Sequence, residues 1–261
     1  ADAHAESNNS LVYALDTTLL WGVGGAFTEA PEKRGFPATL GYVVWALTMI
    51  PCAVVALALV GWELETDLRS VLLGCTAGLL GAAGQLVLFQ TLRKGPAYLV
   101  FPVVALSPVV SVALSVLLLG VSAGARAWAG IVLALVAIPL LAYQPPDRSS
   151  PVKGYLWLVM AIGVMFAWGI QAIVLRFANQ TMSSEGIFFY MMATGVALAP
   201  FAVLMTDFKQ DINWGLTGPW LAAGIQILNS AGALMMVYAF RYGKVIIVSP
   251  MINALAPVIT I

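Results

Sequence analysis

Charge is what this sequence has least of. Only 9% of its residues are Asp, Glu, Lys or Arg and 61% are apolar, against about 25% and about 45–50% in soluble domains. So few charges cannot cover a soluble globule, and the composition therefore specifies an integral membrane protein. The 12 basic and 12 acidic side chains cancel, which removes the basic surface that nucleic-acid binding needs. There is one histidine, His4, in the polar start. Asp16 is the one carboxylate well inside an apolar segment and has no second carboxylate for an acid–base dyad, so an intramembrane enzyme is not expected. The two cysteines, Cys52 and Cys75, both sit in apolar stretches, where free cysteine behaves as a small hydrophobe; neither a disulfide nor a metal site is expected. No G-x-x-x-x-G-K-[ST] stretch is present to cradle phosphates. ATP is thus not the direct energy source, and no cofactor is implied. Residues 1–10 lack the basic start and small-residue cleavage site of a secretory signal, so the first apolar segment is expected to stay.

What the chain does have is apolar runs. A hydrocarbon core of roughly 30 Å takes about 20 helical residues, and runs of that kind fall near 11–28, 37–61, 70–91, 96–120, 126–143, 154–176, 185–206, 215–239 and 245–261. Trp62, Trp128, Trp157, Trp214 and Trp220 lie at the ends of these nine spans, where indole rings favour the headgroup zone.

The chain is also built twice. FQTLRKGPAYLVFPVVALSP, residues 89–108, returns as YAFRYGKVIIVSPMINALAP, residues 238–257. Arg93, Gly95 and Pro102 fall on Arg241, Gly243 and Pro250 at an offset of 148, while Pro108 and Pro257 have slipped to 149. Each copy ends one apolar helix, turns through a basic residue and glycine, and enters a helix carrying two interior prolines. Soluble helices rarely tolerate such prolines, whereas transporter helices often do. LLWGVGGA, with Trp21 and Gly22, likewise returns as MFAWGIQA, with Trp168 and Gly169. Residues 1–143 thus form a first five-helix repeat, 144–153 a proline-rich polar linker, and 154–261 a second repeat that this register expects to stop within its fourth helix. An odd number of helices per repeat inverts the second half.

Paired halves, a Trp-Gly start to each, and an Arg-x-Gly turn into a proline-bearing helix resemble the EamA-like family of the drug/metabolite transporter superfamily. The resemblance implies a ten-helix fold of two inverted five-helix repeats, with a solute cavity between them and alternating access. It implies a permease, an exporter of amino acids or drug-like metabolites, in a bacterial or archaeal inner membrane; sugar or nucleotide-sugar uptake is the alternative within the family. One feature departs from the family pattern. Helix four commonly ends there in Leu-Gly-Glu, but here Gly120 is followed by Val121, so no acidic residue carries over.

Helical spacing picks the cavity candidates. Gly74, Gly78, Gly81 and Gln85 share one face of helix three, and the equivalent face of helix eight reads Ala222, Gln226, Asn229 and Ala233. Small residues let helices approach in lipid. The amides either bridge helices or recognise a polar solute, and the glycine face opposite favours recognition. Tyr98 and Asn253 flank the prolines of helices four and nine, whose rings free backbone carbonyls, so Pro102, Pro108, Pro250 and Pro257 are hinge candidates. Trp21 and Trp168 are packing residues or a stacking platform. Asp16 is a coupling candidate, or an acidic first-turn residue if helix one starts late.

Basic residues number seven on the side opposite the N-terminus and five on the N-terminal side. The positive-inside rule then places the N-terminus outside, whereas the resemblance places it in the cytoplasm. The partners on this reading are a small-molecule solute and membrane lipid, with a homodimer as the oligomer to test and no nucleic acid. A passive channel or a non-transporting scaffold is the rival class.

Overall fold

The computed structural model describes residues 2–142 and 154–260, with side chains placed for all of these except 2–4, 97, 98, 134, 135, 137–139, 141, 142 and 254–260. Among the described residues every regular element is helical. The order is α1 (Asp2–Phe27), α2 (Glu29–Lys33), α3 (Ala38–Leu59), α4 (Leu68–Leu92), α5 (Ala97–Val104), α6 (Ser107–Leu119), α7 (Ala125–Ala142), α8 (Leu156–Asn179), α9 (Ser184–Leu204), α10 (Leu221–Tyr242) and α11 (Val245–Thr260). A π-turn, Leu216–Trp220, leads into α10. Among the described residues six segments are long and apolar enough to cross a membrane: α3, α4, the α5–α6 stretch, α8, α9, and α10 with its π-turn.

The helix ends follow local chemistry. Asp67 caps α4 by accepting from the Ser70 N–H at 3.2 Å, and the Ser70 side chain first, then that N–H, hold its carboxyl below the usual carboxylate range. Ser183 caps α9 by accepting from the Gly186 N–H at 3.1 Å. The α6 helix stops at Gly120, whose φ of 61° suits a residue without a β-carbon, and the Val121 N–H turns back to the Ser115 carbonyl.

Loop contacts sort the elements to two ends. At one end, Ser10 Oγ donates to the Ala239 carbonyl at 3.3 Å, and the Glu65 carboxylate accepts from the Ser183 N–H at 2.7 Å. At the other, the Asn213 N–H donates to the Gly35 carbonyl at 2.9 Å and Arg93 Nη2 to the Met205 carbonyl at 3.1 Å. α1 therefore runs from the first end to the second and α8 from the second to the first. The two repeats are inverted, and the protein is an all-α integral membrane protein.

The repeats also exchange helices. α1 packs on α10 and α11 of the second repeat, while α8 packs on α4, α5 and α6 of the first. The largest buried cluster joins both halves through Met49, Ala77, Leu175, Phe188, Val237 and Val248. Outside it the surface is apolar: Leu117 is 75% and Leu204 81% exposed, which suits hydrocarbon in place of water.

Three expectations change. Helix one begins at Asp2 rather than near residue 11, so Asp16 lies mid-helix and the first-turn reading is overturned. The expected fourth span, 96–120, is broken at Ala105–Leu106 between Pro102 and Pro108. Trp62, Trp128, Trp214 and Trp220 are well exposed at span ends, but Trp157 is 1% exposed and packs against Gly95. Gly95 leaves a hole that the large indole fills, so packing wins there over the headgroup zone.

Candidate functional site between the repeats

Each repeat sends one indole into the other. Trp21 Nε1 donates to the Asn229 carbonyl at 3.0 Å, and Trp168 Nε1 donates to the Gly81 carbonyl at 3.3 Å. Positions 81 and 229 are 148 apart, so the two bonds are one bond made twice by the inverted repeat. Glycine makes each possible. A β-carbon at Gly84 would stand 2.5 Å from Trp168 Nε1, and one at Gly232 would stand 2.5 Å from Trp21 Nε1. Replacing either tryptophan by phenylalanine keeps most of the ring but removes the donor. We expect each variant to lose about 0.5–1.5 kcal/mol, read as a lower thermal unfolding midpoint in detergent.

Three residues past each tryptophan the repeats differ, with Gly24 in one and Gln171 in the other. Opposite them stand Asn229 and Gly81. A β-carbon on Gly24 would collide with Asn229 Oδ1, and one on Gly81 would collide with Gln171 Nε2. Both contacts thus pair one amide with one glycine, and the helix that carries the amide switches from α10 to α8. Gln171 is buried and donates from Nε2 to the Ala77 carbonyl at 2.9 Å. Asn229 Nδ2 donates to Gln226 Oε1 at 2.9 Å. Gln226 Nε2, Asn229 Oδ1 and the Gln85 amide have no hydrogen-bond partner among the described residues, and all three residues are half-buried. Those groups remain able to bind something else.

The glycine face of α4 is filled by the second repeat. Gly74 lies under Tyr190, Gly78 under Thr194 and the Met191 backbone, and Gly81 under Gln171. It receives α8 and α9, not α10 as expected, because the exchange of helices carries α10 to α1 and α3.

A second polar chain crosses between the fourth helices of the two repeats. Asn253 Nδ2 donates to the Ser249 carbonyl at 2.9 Å, Ser249 Oγ to Ser111 Oγ at 3.2 Å, and Ser111 Oγ to the Gly169 carbonyl at 3.0 Å. Pro102 and Pro108 flank the break of the first copy, whereas α11 runs through Pro250 unbroken. The side chains of Tyr98 and Pro257 lie outside the described residues. Asp16 is half-buried in mid-α1, and its neighbours Thr17 and Thr18 turn their hydroxyls back to the Tyr13 and Ala14 carbonyls at 2.9 and 2.7 Å.

Gln171, Ser111 and Ser249 were not singled out from sequence. Gln171 lay in plain view within the returning Trp-Gly segment, where its replacement of Gly24 was the signal. Ser111 and Ser249 are 138 apart and so fall outside the repeat register.

A crevice of about 220 Å³ opens at the end of the bundle that holds Ser10 and is lined by Ser115, Leu119, Val121, Arg176, Gln180, Lys244, Val245 and Ile246. Another, of about 310 Å³, opens at the opposite end beside Gly25, Glu29 and Lys33. Gln85, Gln226 and Asn229 line neither.

The model of the EamA-like transporter family matches residues 9–143 and 155–261. An uncharacterized protein of Methanocaldococcus jannaschii is 28% identical over 134 residues, which are 51% of this chain and 96% of that protein. That relative is about half as long as this chain. A protein of known crystal structure superposes with a TM-score of 0.71 over 97% of this chain and 87% of its own, at 18% identity, a likeness of fold.

Proposed function

The chain belongs to the EamA-like transporter family, and from that premise we propose that it is a secondary carrier moving small organic solutes by alternating access. Its cargo is amino acids or drug-like metabolites, and the direction is export across a bacterial or archaeal inner membrane. The observation that carries this reading is the pair of exchanged Trp contacts. They lock helix one of each repeat to helix three of the other, so the repeats can rock as two crossed bodies while the contacts stay made. On this reading the unspent amide groups of Gln226, Asn229 and Gln85 supply donors and acceptors for a polar solute head. Trp21, Trp168, Asn253 and Tyr98 complete the site. The repeats are residues 1–143 and 154–261, Asp16 couples transport to an ion, and the prolines at 102, 108, 250 and 257 act as hinges. On this reading the protein is a carrier and not an enzyme, and it works as a monomer or a homodimer.

Counterflow in proteoliposomes tests the proposal, after a thermal-shift screen of amino acids, sugars, nucleosides and cationic drugs has named the solute. Unlabelled solute trapped inside should drive transient uptake of labelled solute above its equilibrium level. Simple dissipation of the gradient without that overshoot would make the protein a channel, and no flux at all would make it a scaffold.

A further inference from the structure

The inverted repeat relates part of the lining of the crevices described above, at opposite ends of the bundle. Arg176 and Gln180 stand 147 positions after Glu29 and Lys33, the same offset that pairs Trp21 with Trp168. Two lining positions of each crevice are therefore related by the repeat, and they differ in charge. In the crevice beside α2, Lys33 Nζ lies 2.8 Å from Glu29 Oε2, so the lysine is neutralised locally. The crevice between α6, α8 and α11 is lined by Arg176 and Lys244 and by no carboxylate, and neither cation makes an ion pair among the described residues.

Arg176 is held in place. Its Nη1 donates to the Phe240 and Arg241 carbonyls at 3.1 and 2.7 Å, closing the end of α10. Among the described residues the other edge of the guanidinium fork has no partner, and a fork of this kind suits two oxygens on one centre. Val245 and Ile246 add backbone donors. They open α11, where the first N–H groups have no intrahelical acceptor, and the ladder begins only at Ile247 and Val248, both bonded to the Lys244 carbonyl at 3.0 Å. Guanidinium, ammonium, the Gln180 amide and main-chain N–H groups thus gather in about 220 Å³. At roughly 30 Å³ per water molecule, that is room for a tetrahedral oxyanion. Lipid-facing surface adjoins it: Leu117, Leu118 and Ile247 are 75%, 61% and 59% exposed.

We propose that the crevice between α6, α8 and α11 binds the phosphodiester headgroup of an anionic phospholipid, whose acyl chain lies along Leu117, Leu118 and Ile247. Basic pockets between helices at a membrane surface recognise such headgroups. The crevice at the opposite face, where Lys33 is paired with Glu29, does not, so the lipid binds at one face only.

The test uses the full chain in detergent micelles, with its unfolding midpoint followed as phosphatidylglycerol, phosphatidylcholine or inorganic phosphate is added. Lys244→Gln is the variant of choice because Lys244 is exposed, whereas Arg176 also closes α10. Phosphatidylglycerol should raise the midpoint and phosphatidylcholine should not. Lys244→Gln should raise the half-saturating lipid fraction roughly tenfold, the scale of one charge-assisted hydrogen bond, and Lys33→Gln should leave it unchanged. Native mass spectrometry of the same preparations should show phosphatidylglycerol retained by the wild type and depleted from Lys244→Gln. Equal stabilisation by both lipids, or an unchanged Lys244→Gln, overturns the proposal. An equal shift with inorganic phosphate overturns the lipid as the source of the anion.

Discussion

Alanine at Gly169 should destabilise the bundle by about 1–3 kcal/mol or more, the cost of overpacking a filled interface, while alanine at Gly163 of the same helix should stabilise it. A β-carbon at Gly169 would stand 2.5 Å from Val110 Cβ and 2.8 Å from the Ser107 carbonyl. One is a β-branched stem and the other is backbone, so neither can swing aside as the end of a long side chain could. Gly78 is held the same way, with the Met191 Cα 2.8 Å from its would-be β-carbon, and Gly78→Ala should behave like Gly169→Ala. Gly163 is exposed and has no neighbour within 4 Å of that position. There only helix propensity changes, which favours alanine by about 0.8–1.0 kcal/mol. Thermal unfolding in one detergent reads both signs. If Gly163→Ala and Gly169→Ala shift the midpoint the same way, the close approach of α8 to α6 is not present in the folded protein.

The contrast between those two glycines marks how far the sequence alone could be read. Periodicity exposed the Gly74, Gly78 and Gly81 face, because residues three and four apart share a side whatever the partner is. The partner itself was not legible. Which helix covers a face depends on how the repeats cross, and here they exchange their first helices, so the glycines meet α8 and α9 instead of opening on a cavity toward α10. The inverted architecture was legible because the returning turn around Arg93 and Arg241 keeps its chemistry under duplication. The break in helix four was legible only in part. Pro102 and Pro108 are six apart and the helix restarts at Ser107. Pro250 and Pro257 are seven apart, and α11 continues through Pro250. The polar candidates Asp16, Gln85, Gln226, Asn229 and Asn253 were visible as exceptions in apolar runs. Their pairing, amide over glycine in both interfaces, required the geometry.

That pairing permits an amide to be moved without being removed, and the proposed role of Asn229 rests on the result. Gly24→Gln alone places a side chain where Asn229 Oδ1 lies, and it should destabilise the protein by about 1–3 kcal/mol. Adding Asn229→Gly returns the space. The α1–α10 contact then has its amide on helix one and its glycine on helix three, the arrangement that Gln171 and Gly81 already hold in the related contact. The unfolding midpoint of the double variant should recover most of the loss, because the helical glycine gained at 229 is offset by the one removed at 24. Solute binding should not recover with it. In the double variant Gln226 loses the Asn229 Nδ2 donor that holds its carbonyl, and the pair that would meet the solute head from α10 is gone. The solute identified in the thermal-shift screen should therefore bind about tenfold more weakly, the scale of one lost buried hydrogen bond, even though the fold is restored. Both quantities come from the same titration, stability from the midpoint without solute and affinity from the concentration that half-saturates the shift. A double variant that regains its stability and binds as tightly as the wild type would show that Asn229 fills the space beside Gly24 and does nothing else.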